Sequence, residues 1–106
     1  MSDVFSAAEL LARASDQHRY HEFLRLAAMS AGVYVLAPGA SDKQSPHKED
    51  EIYYVIRGKA KMRLGGKERN VRQGDVIFVE KNMEHRFFDI AEELALLVVF
   101  APAESA

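Results

Sequence analysis

The sequence predicts an all-β domain, either a sandwich or a barrel, with one short helix near its start. Short runs rich in β-branched and aromatic residues recur along the chain from about residue 20. Glycine, proline and small polar residues separate these runs and give frequent turn signals. About six to eight short strands with such turns, after a helical period confined to the first residues, are typical of this fold class.

The predicted helix is the first element. Ser6 and Glu9 have the spacing of a capping box, and two leucines follow directly. This pattern predicts a short helix over about residues 7–14. The polar residues 16–20 that follow are expected to form a connector, and strand signals begin from there.

The strand segments are bounded by turn residues or polar loops, and they cover residues 32–36, 52–56, 60–64, 67–71, 76–79, 84–90 and 94–100. Gly58 is expected to end the second segment, and Gly65 and Gly66 form a two-residue hairpin signal. The polar residues 40–46 are expected to form a loop, and residues 102–106 a frayed tail.

Two of these strands, 52–56 and 94–100, are apolar on both faces instead of alternating with polar residues. Such strands need cover on both sides. One face can fill a barrel, whereas the other needs either the N-terminal segment or a second subunit. We therefore expect a homodimer, although cover from within the chain explains the same pattern.

Composition indicates an ordinary globular domain. The 106 residues suffice for one domain, expected to span 1–106, with 1–30 as helix and lead-in and 31–101 as the barrel core. The net charge of −2 provides no broad attraction for nucleic acid or an anionic membrane. No apolar run approaches the roughly 18 residues of a membrane-spanning helix. Residues 1–9 lack the features of a signal peptide, so a cytoplasmic location is expected.

Three residues are candidate metal ligands. The chain has no cysteine, so a transition metal must use histidine, carboxylate, amide, hydroxyl or water ligands. His47 and Glu51 lie four residues apart near the start of a strand, and His85 begins another. An apolar run follows Glu51 at once, and a buried carboxylate is costly unless it is paired or bound to a metal. His18 and His21 lie in a polar connector and are interpreted as surface or hydrogen-bonded residues.

The spacing of turn residues around these three ligands resembles the two motifs of the cupin family. The family's first motif is Gly, five residues, His-x-His, three or four residues, Glu, six residues and Gly, and this chain has Gly39, Ser45-x-His47, Glu51 and Gly58 at those spacings. The second motif is Gly, five residues, Pro-x-Gly, two residues, His, three residues and Asn, and this chain has Gly74, Glu80-x-Asn82, His85 and Asp89. The matches follow the family's order and span about half of the chain.

The chain departs from these motifs at four positions. Ser45 stands where the first histidine ligand usually lies, and Glu80, Asn82 and Asp89 replace proline, glycine and asparagine. Asn82 can adopt the left-handed conformation that the glycine position often requires. Residues 44–55 also resemble a subgroup of small bacterial cupins with this same altered first motif.

The resemblance implies a cupin-type double-stranded β-helix, which is a jelly-roll barrel, with His47, Glu51 and His85 converging inside it. Two histidines and one carboxylate can hold one divalent ion such as iron, zinc, nickel or manganese, with positions left open. Gln44 through its side-chain carbonyl, Ser45 or a water molecule is the expected fourth ligand. Strand register favours Ser45, but its hydroxyl is a weak ligand. Gln44 has a longer side chain, which could reach the metal if Pro46 bends the strand.

Alternation along the strands predicts a mostly apolar pocket beside the ligands. If Glu51 faces inward, then Tyr53 and Val55 do too, and Ile52, Tyr54 and Ile56 face outward. The residues expected to line the pocket are Ser45, Tyr53, Met83, Phe87 and Asp89. Core filling alone explains Tyr53, Met83 and Phe87 equally well. Glu49 is a candidate partner that orients His47, although a solvated loop residue is the expectation.

The resemblance favours a metal-dependent enzyme that acts on a small organic molecule, with dioxygenase-like or isomerase or lyase chemistry. The alternative is a non-catalytic module that binds or senses a small molecule, which the missing first histidine supports. A third interpretation is a structural barrel whose site has decayed. Fold alone does not decide among these functions.

Overall fold

The computed structural model describes residues 3–105, which form one short helix and six antiparallel strands. The elements in chain order are α1 (Ala7–Leu11), β1 (Tyr20–Leu26), β2 (Met29–Leu36), β3 (Asp50–Leu64), β4 (Lys67–Arg72), β5 (Val76–Val79) and β6 (His85–Ala101). The strand order is β1-β2-β6-β3-β4, and β5 pairs with β3. The all-β prediction is confirmed, and the sheet begins at Tyr20, before the predicted start of the barrel core at residue 31.

The helix begins as predicted and ends early. The Ser6 hydroxyl accepts a hydrogen bond from the Glu9 backbone N–H at 3.3 Å. The predicted end at Ala14 is wrong, because α1 ends at Leu11. Its last two hydrogen bonds, from Arg13 and Ala14, reach back only three residues, which is the tighter pattern that often closes a helix.

The two longest strands each merge two predicted segments. β3 joins 52–56 to 60–64 and runs through Gly58, so the predicted strand end at that glycine is wrong. β6 likewise joins 84–90 to 94–100. Gly58 has φ +103°, and a Cβ there would lie 2.2 Å from the Glu93 carbonyl oxygen. Glycine therefore lets the strand bend against its neighbour instead of stopping it.

The two halves of β3 have different partner strands and contribute to one core. The first half of β3 pairs with β5 and the end of β6, and the second half pairs with β4 and the start of β6. Tyr53 and Val55 from one half pack in the same core cluster as Met62 and Phe87 from the other. The predicted alternation is confirmed, since Tyr53 is 1% exposed and Ile52 is 44% exposed.

The outer faces of the two apolar strands differ in their cover. Leu11 of α1 packs with Val33 and Ala95, so the N-terminal segment covers the outside of β2 and β6. The outside of β3 and β5 carries an exposed apolar patch formed by Ile52, Tyr54, Val76 and Phe78. The expected homodimer stays a prediction. Within residues 3–105, none of the helical structure has the length and apolar character needed to span a membrane.

The tail after β6 is tied to the barrel over residues 102–105, so the predicted fraying is wrong there. The Glu104 N–H donates to the Ser30 hydroxyl at 2.9 Å, and Arg25 donates to the Glu104 carbonyl at 2.8 Å. The Ser105 hydroxyl donates to Glu49 at 3.0 Å. These contacts join residues far apart in the sequence, so a local sequence pattern does not predict them. Residue 106 lies outside the described residues.

Candidate metal centre

The three candidate ligands come from two stretches of the chain, residues 47–51 and the start of β6. Glu51 lies at the start of β3 and His85 at the start of β6, whereas His47 lies in the loop before β3. Asn82, at φ +64°, turns the chain before β6, which confirms its predicted left-handed conformation. Its N–H donates to the His47 carbonyl at 2.6 Å, and the Lys81 N–H donates to Asp50 at 2.9 Å. The segments that lead into β3 and β6 are therefore fixed against each other next to the candidate ligands.

The ligand atoms are close enough to share one ion. His85 Nε2 lies 3.3 Å from Glu51 Oε1, and His47 Nε2 lies 3.9 Å from the same oxygen. One ligand atom of each residue lies within 4.8 Å of the other two. Ligand atoms held about 2.1 Å from one ion at octahedral or tetrahedral angles stand about 3.0–3.4 Å apart. The triad therefore fits one ion after a small inward movement of His47.

The burial of these atoms is the observation that a metal explains. Glu51 and His85 are 2% and 1% exposed. Both Glu51 carboxylate oxygens and His85 Nε2 are buried without a hydrogen-bond partner among the described residues. Leaving such groups unsatisfied costs about 1–3 kcal/mol each, and more for a charge. A cation placed between them would satisfy all three atoms at once, so the donor set fits a divalent metal.

Nε2 of each imidazole faces Glu51, and Nδ1 lies near an oxygen of another group. His85 Nδ1 lies 3.0 Å from the Met83 carbonyl oxygen, which can only accept, so Nδ1 carries the proton. His47 has an acceptor oxygen at each nitrogen, with Glu104 Oε2 3.5 Å from Nδ1 and the Gln44 side-chain oxygen 3.3 Å from Nε2. The Nε2 lone pair of His85 is therefore available to a metal. A metal bound at His47 Nε2 would leave the proton of that ring on Nδ1, facing Glu104, as in sites where a carboxylate orients a ligand histidine.

A proton competes with a metal for His85. Burial by itself lowers the pKa of His85, but the Glu51 carboxylate and the Met83 carbonyl outweigh it and raise that pKa above its ordinary value. The Glu51 carboxylate, 3.3 Å from His85 Nε2, thus favours a proton on that ring. Metal binding must displace that proton.

A cavity of about 160 Å³ opens beside the triad. Its walls include Tyr20, Tyr34, Tyr53, Gln44 and Glu104 together with His47 and Glu51. Two of the tyrosine hydroxyls already have partners. Tyr34 donates to Asp42 at 2.6 Å, and Tyr53 donates to the Gln44 side-chain oxygen at 3.1 Å. The cavity therefore has a mostly aromatic wall with a few fixed polar groups, as small-molecule sites do.

Gln44 and Ser45, the two protein candidates for a fourth ligand, lie in different places. The Gln44 side-chain oxygen is 3.3 Å from His47 Nε2, and its amide nitrogen donates to Asp42 at 2.8 Å. Ser45 is exposed and does not line the cavity. The alternation argument fails for Ser45 because it lies in a loop, where strand register does not apply.

The other predicted pocket residues divide between core and surface. Tyr53 lines the cavity, whereas Phe87 is fully buried in the core with its ring edge against Tyr53. Met83 packs against the same core cluster, so core filling accounts for both residues. The inward direction predicted for Asp89 is wrong: its side chain is 69% exposed and lies 3.9 Å from Lys61. Asp89 has φ +47° beside an irregular stretch of the β3–β6 register, which breaks the alternation.

Several residues of this site were missed by the sequence analysis. The Tyr20 hydroxyl is buried at the cavity and has no hydrogen-bond partner among the described residues. A Cβ at Gly32 would lie 2.4 Å from the Tyr20 ring, so this glycine makes room for the ring. A glycine inside an apolar strand was the available signal, since it often marks close approach. Glu49, expected to be solvated, is only 5% exposed. No sequence motif pointed to Glu104.

The carboxylate of Glu104 lies at the edge of a negative cluster. Burial, followed by the charges of Glu51 and Glu49, raises the pKa of Glu104 above its ordinary value. Burial and the charges of Glu104 and Glu22 raise the pKa of Tyr20, so its hydroxyl stays protonated and remains a donor.

Comparisons with known proteins agree with this geometry. The family model described as Cupin domain matches residues 32–100. The chain is 42% identical over 93 residues to the uncharacterized protein SCO3923 of Streptomyces coelicolor, which covers 88% of this chain and 89% of that protein. The fold of this chain matches that of an uncharacterized conserved protein with a double-stranded beta-helix domain from Klebsiella pneumoniae, with a TM-score of 0.81 and 21% identity. The match covers 96% of this chain and 91% of that chain.

The fold is also similar to that of Fe(II)-HppE in complex with an alternative substrate. The TM-score is 0.67 at 22% identity, and the match covers 76% of this chain and 48% of that one. The predicted double-stranded β-helix is thus confirmed by fold as well as by family. This chain belongs to the cupin family.

Proposed function

We propose that this cupin holds one divalent metal ion with His47, Glu51 and His85 and acts as a metal-dependent enzyme on a small organic molecule. The observation that carries the proposal is a set of atoms, Glu51 Oε1 and Oε2 and His85 Nε2, that are buried beside a cavity without a hydrogen-bond partner among residues 3–105. The Gln44 side-chain oxygen is the protein's own candidate for a fourth ligand.

A bound divalent ion would act as a Lewis acid at a substrate oxygen or activate water or oxygen, which suits dioxygenase-like, isomerase or lyase chemistry. Fe(II)-HppE, a fold neighbour, is a structure with iron and an alternative substrate. At 22% identity that likeness supports only the capacity of the fold for such a site. Iron, zinc, nickel and manganese all suit the donor set.

The cavity favours a small ligand with an oxygen or nitrogen acceptor. An apolar cavity of about 150 Å³ accommodates benzene, so about 160 Å³ sets a similar size for the enclosed part of a ligand. The Tyr20 hydroxyl has no hydrogen-bond partner within residues 3–105, and it stays protonated, so it can donate to a ligand. Within the described residues, the cavity wall has no lysine or arginine, which favours an uncharged ligand over an anionic one.

The second candidate function is a metal-containing module that binds or senses a small molecule. The replacement of the first histidine ligand by Ser45, which points away from the cavity, favours it. A thermal-shift screen of small uncharged carbonyl and hydroxyl compounds on the metal-loaded protein separates the two. Mass spectrometry of the compounds that bind would show conversion for an enzyme. Binding without any conversion, under air and under nitrogen, would favour the module.

A further inference from the structure

The segment after β6, residues 102–105, crosses beside the cavity and is here named the strap. Two polar contacts tie its backbone to β1 and β2: Arg25 donates to the Glu104 carbonyl at 2.8 Å, and Ser30 accepts from the Glu104 N–H at 2.9 Å. Ser30 is fully buried, so the second contact has a fixed partner. Both contacts converge on Glu104, which fixes where its side chain starts.

The Glu104 side chain reaches the cavity and faces His47. Its Oε2 lies 3.5 Å from His47 Nδ1, and Glu104 is part of the cavity wall. His47 needs such a partner because it lies in a loop, whereas His85 lies on a strand and has the Met83 carbonyl at 3.0 Å behind its Nδ1. Other close neighbours of the His47 ring lie elsewhere on it: the Gln44 side-chain oxygen is 3.3 Å from Nε2, and the rings of His85 and Phe100 pack against the imidazole.

We propose that Glu104 is a positioning residue, delivered by the strap, that holds the His47 imidazole with Nε2 directed at the metal site. This inference rests on the proposed metal site and adds to it a residue outside both family motifs. Carboxylate partners of this kind fix the tautomer and orientation of a ligand histidine and raise its basicity. Loss of such a partner typically weakens metal binding by about 10- to 100-fold.

The test uses Co²⁺ as the probe, because its visible absorption reports ligand geometry independently of any enzyme activity. Co²⁺ affinity is measured by competition with a chromophoric chelator for the wild type, Glu104→Ala, Glu104→Gln and the control Glu92→Ala. Glu92 is an exposed residue of β6 outside the cavity wall. Its replacement by alanine removes the same charge as Glu104→Ala. Circular dichroism and thermal unfolding establish that each variant is folded.

Glu104→Ala is expected to bind Co²⁺ about 10- to 100-fold more weakly and to shift the absorption bands. Glu104→Gln, which keeps an acceptor oxygen, is expected to recover part of the affinity and the wild-type spectrum. Ser30→Ala, which loosens the strap and keeps the carboxylate, is expected to give a smaller loss. Glu92→Ala is expected to match the wild type.

Two results would overturn the role of Glu104. One is wild-type affinity and spectrum in Glu104→Ala, and the other is an equal loss in Glu92→Ala, which would indicate only long-range charge. Failure of the underlying site is distinguishable, because then the wild type itself would bind no Co²⁺ or the His47→Ala/His85→Ala variant would bind it equally well.

Discussion

Replacing Glu51 by methionine should separate the stability of the barrel from its metal site. The Glu51 carboxylate is 2% exposed, and neither oxygen has a hydrogen-bond partner among the described residues. Methionine has a similar length and no charge, so it removes both unsatisfied oxygens without a large cavity. We therefore expect Glu51→Met to stabilise the metal-free protein and to abolish metal binding, as residues kept for function often reduce stability.

The size of the expected stabilisation follows from the burial of the Glu51 carboxylate and from its contact with His85. Unsatisfied buried groups cost about 1–3 kcal/mol each, and part of the cost of Glu51 is offset by the His85 ring, whose Nε2 lies at 3.3 Å. The expected gain in unfolding free energy is about 1–3 kcal/mol, or a rise in Tm of at least about 4 °C for a domain of this size. A metal at 100 times its Kd should stabilise the wild type by about 2.7 kcal/mol and leave the variant unchanged.

The assay is urea unfolding of both proteins at pH 8, first with a chelator and then with excess Zn²⁺ or Mn²⁺. Glu92→Met is the matched control, and because that side chain is exposed its stability should stay within about 0.5 kcal/mol of the wild type. Destabilisation of metal-free Glu51→Met by more than 1 kcal/mol would refute the reasoning, since Glu51 would then be satisfied by the protein. Equal stabilisation of both proteins by metal would refute the site.

Three further predictions concern the cavity, the bend of β3 and the outer face. Tyr20→Phe should weaken binding of an acceptor-bearing ligand roughly 2- to 13-fold by calorimetry without lowering stability, because the hydroxyl has no hydrogen-bond partner in the described part of the chain. Unchanged affinity would contradict the role of this hydroxyl. Gly58→Ala should destabilise by about 2 kcal/mol or more in urea unfolding, and more than Gly65→Ala, where a Cβ meets open space; equal losses would contradict the bend. We propose the exposed patch as the homodimer face, so Phe78→Asp should yield a monomeric mass by light scattering; a monomeric wild type would contradict this.

The sequence predicted the candidate ligands of the site better than the residues that surround them. Period-two alternation correctly placed Glu51 and Tyr53 inside β3 and Ile52 outside, because a strand fixes the direction of each side chain. The same rule failed at Ser45, which lies in a loop, and at Asp89, where the register shifts. Alternation holds only where the ladder is regular.

Long-range contacts account for what the sequence did not reveal. Glu104 meets His47 only after β6 has crossed the barrel, and Tyr20 reaches the cavity over Gly32 of the neighbouring strand. Gly58 was interpreted as a strand end because a glycine signals either a stop or a bend, and only the neighbouring Glu93 backbone decides between them. The expected cytoplasmic location remains a prediction.

The most direct test of the central claim is elemental analysis of the purified, untagged protein beside a His47→Ala/His85→Ala control. The account predicts about one divalent metal ion per chain in the wild type and none in the control, with both proteins folded by circular dichroism. Wild-type protein that holds no metal after reconstitution, or a double variant that retains it in full, would contradict the assignment of His47, Glu51 and His85 as a metal centre.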